Sequence, residues 1–368
     1  MAPSVSSANG DRKVVAYDAL TAKRLTEIPA NAWKLGGGDA GAYLVGPAWF
    51  DPQVNGFAGV DYQDPAITGE ALERSVREIH ARGCSHILAT IITAGDDQIA
   101  SQFRKLGKTL DESAFLREAI VGFHLEGPFI SPEPGYRGAH PAAHVEGKAG
   151  EPSWDRFSRW QDESGNRIRL VTIAPERKGS LEFIRKASSS GVVVALGHTN
   201  ASVEEIQASV DSGATLFTHL GNGVPMLAPR HDNIIQRVIG IPGLSVSLIP
   251  DGIHLPPFLL SNLSRALGSR RVLFTTDCVS PAGCPPGRFR LGDLEVEVGE
   301  DRVVWNPDRT SFAGSALTMD AGFYNCIRFG GMSADGAWRG WTWLRRRMFP
   351  ALKPPMLAIP FPEIAIGS

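Results

Sequence analysis

Val121-Gly-Phe-His-Leu-Glu-Gly-Pro-Phe129 runs as an apolar strand that stops on a carboxylate. Gly-Pro follows Glu126 and ends any ladder, because proline has no backbone donor to offer. Three later apolar runs close in the same way: Val192-Val-Val-Ala-Leu-Gly-His198, Ala214-Thr-Leu-Phe-Thr-His219 and Arg271-Val-Leu-Phe-Thr-Thr-Asp277. One Glu, two His and one Asp at four strand ends suit a parallel barrel with a metal at its mouth. In such a barrel, chemistry gathers at the C-terminal ends of the strands.

The surrounding chain supports that frame. Strand-like runs at 48–55, 84–93, 119–126, 167–173, 192–196, 214–218, 244–248 and 272–276 are separated, for the most part, by amphipathic stretches. Those stretches, at 69–82, 96–108, 154–161, 180–189, 202–212 and 256–267, have helical spacing. Repeated βα units with apolar strands imply a parallel sheet covered by helices, and a count of eight favours a (β/α)8 TIM-type barrel. No G-x-G-x-x-G follows the first strand, which argues against a dinucleotide fold. Ahead of the barrel, short runs at 14–17 and 42–45 and the glycine-rich turn 36–41 suit a few antiparallel strands of a small β subdomain. Beyond Asp277 come a loop at 281–287, a hairpin pattern over 288–298 and 302–305, and a helix near 316–329. The expected division is a small β subdomain at 1–47, a metal-dependent hydrolase barrel at 48–335 and an atypical tail at 336–368. In the tail, Arg345-Arg-Arg and then Lys353-Pro-Pro break any long element.

Composition narrows the function. A formal charge of -2 on 368 residues argues against a strongly basic surface for nucleic acid and leaves room for a local basic pocket. No apolar run approaches the ~20 residues of a membrane span. The N-terminus carries neither a basic nor an apolar signal region. Cys84, Cys278, Cys284 and Cys326 show no CxxC spacing, which points to a reduced, cytoplasmic setting.

The strand-end residues form a coherent set. A catalytic cation takes three protein ligands and keeps a position for water. Glu126, His198 and His219 supply those ligands, which leaves Asp277 as general base on the water and then acid to the leaving group. Taken singly, a His after a strand is more often a structural hydrogen-bonder, and Asp277 alone would cap a turn. The four together favour a site. Zn²⁺ suits two His and one Glu best, with Fe²⁺, Co²⁺ or Mn²⁺ as alternatives. His80 and His86 lack such a context, and Cys278 reads as a small packing residue. A second set, Asn222, Gly223, Arg230 and His254, with Arg137 and His140 in the loop after strand three, suits an anionic substrate, since a guanidinium matches phosphate. A surface pairing of Arg230 with Asp232 is the competing reading.

These motifs resemble the N-acetylglucosamine-6-phosphate deacetylase family of the amidohydrolase superfamily. The matching stretches are Asp51-Pro-Gln-Val-Asn-Gly-Phe-Ala-Gly-Val-Asp61, His124-Leu-Glu-Gly-Pro-Phe129, Arg137-Gly-Ala-His140, Gly197-His-Thr199, Thr218-His-Leu-Gly-Asn-Gly223, Asp251-Gly-Ile-His254, Thr276-Asp277 and Gly314-Ser-Ala-Leu-Thr-Met-Asp320. The resemblance implies a barrel beside a small β-sandwich, and hydrolysis of an N-acetyl group from a sugar phosphate. It implies metal ligation by Glu126, His198 and His219, acid/base work by Asp277, and sugar contacts from His140 and the Asn222–Gly223 backbone. It also implies phosphate contacts from His254 and Arg230 in a pocket shared across a homodimer. Gln53 and Asn55 stand where the wider superfamily carries His-x-His, so a single metal is expected, with those two shaping the site by hydrogen bonds. Other amide hydrolysis on the same barrel, or a non-catalytic sugar-phosphate binder, are the rival functions. The tail departs from the family pattern, which leaves the small domain short of strands.

Overall fold

The computed structural model describes residues 15–361 apart from 22, 26, 36–41, 293, 307–308 and 310–311. The expected loose stretch 1–12, Val14, the 36–41 turn and Pro362 lie outside those residues. Eight parallel strands form one sheet in sequential order: Trp49–Val54, Cys84–Ile92, Ile120–Glu126, Ile168–Ile173, Val193–Leu196, Leu216–Phe217, Ser245–Leu248 and Val272–Phe274. They are called strands one to eight below. Strand one meets strand eight through a parallel bridge between Val54 and Cys278, and the Asn55 N–H reaches Cys278 O at 2.8 Å. The chain is a (β/α)8 barrel with a small β domain beside it.

The strands form where β-branched and aliphatic residues run together, and they are buried on both faces, as a helix-covered parallel sheet requires. Several helices begin at side-chain caps. The Thr68 hydroxyl accepts from Ala71 N–H to start Gly69–His80, and Ser202 with Glu205 makes a capping box for Val203–Asp211. Register then sets the mouth. Ile92 pairs with Glu126, Glu126 with Thr172, Ile173 with Leu196, and Leu196 with Phe217. The strand ends are therefore level, and the polar residues just past them meet around one rim.

Four features depart from the sequence reading. A short helix, Ile234–Ile239, lies between strands six and seven, capped by Asn233. Residues 287–305 make three antiparallel strands, because the chain turns at Gly292, which adopts φ +56°. The small sheet is mixed and not antiparallel: Val15–Asp18 runs parallel to Ala42–Pro47. Most consequentially, the tail is built into the fold. Ala334–Met348 is a helix that packs on strands one and eight, so the barrel's own cover extends past residue 335. Trp338, Trp341 and Leu344 face inward, and a Cβ on Gly340 would sit 2.5 Å from the Phe274 ring. The three arginines close the last turn, where cations favour the helix dipole. Met356–Pro360 then pairs with Ala42–Pro47 and with Trp33–Lys34, which completes a five-stranded sheet.

Candidate active site at the barrel mouth

Glu126 ends strand three with its side chain 4% exposed. Its Oε1 lies 2.9 Å from His219 Nε2 and 3.3 Å from His198 Nε2, and the two Nε2 atoms are 3.2 Å apart. Ligands at 2.0–2.2 Å from one tetrahedral cation stand about 3.3–3.5 Å from each other. The three groups are thus close to the spacing of a shared ion, and their chemistry, one carboxylate and two imidazoles, fits a divalent cation. His140 stands beside them: one of its ring nitrogens lies within 4.8 Å of the potential ligand atoms of Glu126 and His198.

The backbone holds these side chains in unusual conformations. His198, His219 and Asp277 all adopt positive φ, at 51°, 31° and 48°. Such left-handed conformations cost free energy in non-glycine residues and persist only where neighbours enforce them. The enforcing contacts come from adjacent strands. Glu176, in the loop just past strand four, takes the Thr199 hydroxyl and the Asn200 N–H beside His198. The Ser247 hydroxyl of strand seven accepts the His219 N–H at 2.7 Å. Asp51 of strand one takes the N–H and hydroxyl of Thr276 beside Asp277.

Electrostatics follow from burial. Burial works to raise the Glu126 carboxyl, but hydrogen bonds and charge from His198 and His219 hold it well below the usual carboxylate range. His219 is opposed by burial and nevertheless raised by Glu126. Burial pushes Asp277 up to about 7, reinforced by the nearby Glu126 charge. Burial also drives His140 down to about 3, which keeps its ring neutral.

The residues expected to shape the site lie on strand one and just beyond it. Gln53 Nε2 donates to Glu126 Oε1 at 2.9 Å, and Asn55 Nδ2 donates to Asp277 Oδ1 at 2.8 Å. His198 Nδ1 contacts Tyr136 O at 2.9 Å, which leaves Nε2 facing Glu126. His254 is held by Asp251, with Nδ1 2.6 Å from Oδ2. Gly223 abuts His198: a Cβ there would lie 2.7 Å from Nδ1, and φ is +59°. Asn222 is tied to the same ring of residues, since its N–H and its Nδ2 both donate to His219 O, at 2.9 and 3.1 Å. Arg230 is exposed on the loop after strand six and has no hydrogen-bond or ion-pair partner among the described residues. Asp232 is not its partner, because Arg237 binds that carboxylate at 2.6 Å. The Cys278 thiol is fully buried and pushed up by burial, which suits packing and not nucleophilic chemistry.

Sequence reasoning missed Thr93 and Tyr136. Thr93 Oγ1 lies 2.8 Å from His140 Nδ1, and its place just past strand two is the same strand-end signal seen elsewhere. Tyr136 acts through its backbone carbonyl and leaves no side-chain signal.

This geometry has counterparts. The N-acetylglucosamine-6-phosphate deacetylase of Bos taurus is 32% identical over 313 residues, 81% of this chain and 73% of the relative. The chain belongs to the N-acetylglucosamine-6-phosphate deacetylase family. No family model matches the chain. An N-acetylgalactosamine-6-phosphate deacetylase of a Shewanella species is 30% identical, covering 74% of this chain and 65% of its own. A solved Mycobacterium smegmatis N-acetyl-D-glucosamine-6-phosphate deacetylase, an aspartate-to-alanine mutant in complex with N-acetyl-D-glucosamine-6-phosphate, superposes with a TM-score of 0.79. It is 25% identical and covers 96% of this chain and 91% of its own. The family's fold thus spans nearly the whole chain.

Proposed function

We propose that this chain hydrolyses the N-acetyl group of N-acetylglucosamine-6-phosphate to glucosamine-6-phosphate and acetate. The observation that carries the reading is the convergence of Glu126, His198 and His219 within 3.3 Å, beside a half-buried Asp277 held by Asn55. In this reading Glu126, His198 and His219 hold one divalent ion, Zn²⁺ foremost, and Gln53 and Asn55 leave no second imidazole pair on strand one. The ion supplies Lewis acidity to the amide carbonyl and acidifies a water. Asp277 takes the proton of the attacking water and passes it to the departing sugar nitrogen. Its raised pKa suits both directions of that transfer. His140, neutral and anchored by Thr93, faces the sugar, with Gly223 and Asn222 lining the approach.

His254 and Arg230 take the phosphate, with Arg230 serving a pocket shared with a second copy of the chain. Met226 and Leu227, 98% and 91% exposed on the same loop, support such a homodimer. Unpaired cysteines support a cytoplasmic setting. No helix among the described residues is long and apolar enough to cross a membrane.

The test pairs metal analysis with acetate release from N-acetylglucosamine-6-phosphate and from its galactosamine epimer. We expect one ion per chain and turnover, with Asp277→Asn lowering kcat by about 10²–10⁴-fold while the ion is retained. Full activity in that variant overturns the mechanism. Faster turnover of the epimer moves the substrate assignment.

A further inference from the structure

Asp51 has no chemical step in the reaction above, yet it is fully buried and accepts four hydrogen bonds. Oδ1 takes the Gln53 N–H at 3.1 Å and the Thr275 hydroxyl at 2.6 Å. Oδ2 takes the Thr276 N–H at 3.0 Å and the Thr276 hydroxyl at 2.6 Å. Three of the four donors therefore belong to the end of strand eight.

This contact stands at the seam where the barrel closes. Strands one and eight share no continuous ladder there, only the Val54–Cys278 bridge. The surroundings disfavour a charge: burial pushes Asp51 up to about 6, with the Thr275 and Thr276 hydroxyls pulling the other way, and the Cys84 and Cys278 thiols nearby. A buried carboxylate is costly unless it is fully bonded, and seam closure by itself asks only for backbone pairing. The four bonds fix something further. Strand one leads through Gln53 and Asn55, which hold Glu126 and Asp277, while strand eight leads through Thr276 directly into Asp277 at φ +48°.

We propose that Asp51 is a positioning residue: it clamps Thr275 and Thr276 against strand one, so that the left-handed turn at Asp277 keeps its carboxylate on Asn55 and aimed at the scissile amide. The proposal rests on the acid/base role assigned to Asp277. Gln53 and Asn55 touch Glu126 and Asp277 directly; Asp51 reaches them only through the residues that it bonds, Gln53, Thr275 and Thr276.

The experiment uses Asp51→Asn and Asp51→Ala in the full chain loaded with Zn²⁺. The near-isosteric Asn variant carries the test if Asp51→Ala does not fold. We expect kcat to fall about 10–100-fold, the range typical of lost outer-shell partners. KM for N-acetylglucosamine-6-phosphate stays within about twofold, and Zn²⁺ stays at one per chain. Amide hydrogen exchange at residues 276–278 rises in the variant, because the Thr276 N–H loses its charged acceptor. Parental kcat in Asp51→Asn overturns the clamp. So does a joint loss of Zn²⁺, KM and kcat, which is the signature of a merely structural role. If the parent chain releases acetate from neither sugar phosphate, the functional reading falls on its own. Exchange at 276–278 then decides, and unchanged protection in Asp51→Asn overturns the proposal.

Discussion

The two ends of the barrel are built on opposite principles. At the mouth, ionisable groups are buried against one another, and three residues sit in left-handed conformations that side chains normally avoid. At the base, apolar side chains from six strands, Phe50, Leu88, Leu170, Ala195, Leu216 and Leu273, form one cluster with Leu344 of the last helix. Beside it Trp49 packs against Phe323, Trp338 and Trp341 in one stacked, one edge-on and one tilted pair at 5.0–6.4 Å. The contrast teaches where stability and function reside. The mouth holds groups that repel, desolvate and strain, and the base supplies the packing that lets them persist. A substitution at the mouth should therefore cost function more than stability, and one at the base the reverse.

The sharpest test of that division is Glu126. As the single carboxylate in the proposed ligand set, it has no substitute. Glu126→Gln should drop bound metal to background and abolish acetate release, while the thermal midpoint of the metal-free protein changes little. Retention of a stoichiometric ion would break the assignment. Metal loading of the parent should also weaken as pH falls. His219 is raised by its bond to Glu126, so it holds a proton more readily, and that proton must leave before the nitrogen can ligate. Equilibrium metal titrations across pH would show it.

At the other end, Trp341 stands against Phe274 at 5.9 Å and Trp49 at 6.4 Å, with 1% of its surface exposed. Trp341→Ala removes a filled volume between the last helix and the barrel, and such truncations cost about 3–5 kcal/mol. Denaturant unfolding should register that loss, while kcat per folded molecule and metal content stay at parental levels. An equal loss of kcat would mean that base and mouth are coupled, and the comparison would fail.

The mouth was the more legible end because its signals are local. A polar residue that closes an apolar run needs only a few neighbours to be noticed, and Glu126, His198, His219 and Asp277 all announce themselves in this way. The base was legible only in part. Trp338, Trp341 and Leu344 have helical spacing, but the following arginines and prolines obscured it. The structure resolves the conflict by turning Arg345 inward onto the Leu352 carbonyl and exposing Arg346 and Arg347. Likewise, Met356–Pro360 is a strand because two strands far earlier in the chain receive it, a nonlocal reason that no window of sequence contains. Tyr136 was invisible for a third reason, because a carbonyl that orients His198 is common to every residue type.

The outer rim of the mouth should give the smallest effect, and it tests how far the functional end extends. Arg230 sits on an exposed loop, unpaired among the described residues, while Arg237 occupies the neighbouring carboxylate. An exposed guanidinium contributes little to folding, so Arg230→Ala should leave the thermal midpoint and metal content unchanged. If the group meets the phosphate, its loss should raise KM for N-acetylglucosamine-6-phosphate about tenfold, or about 1.4 kcal/mol, with kcat held within a few-fold. Unphosphorylated N-acetylglucosamine, which offers the guanidinium no dianion, should be hydrolysed equally by parent and variant. A parental KM for the phosphorylated sugar would confine the substrate to the inner ring of His140 and His254 and would remove the reason for a shared pocket. A raised KM that is restored by mixing Arg230→Ala with an Asp277→Asn partner would instead show that the arginine serves the neighbouring subunit, because only mixed dimers then contain one complete site.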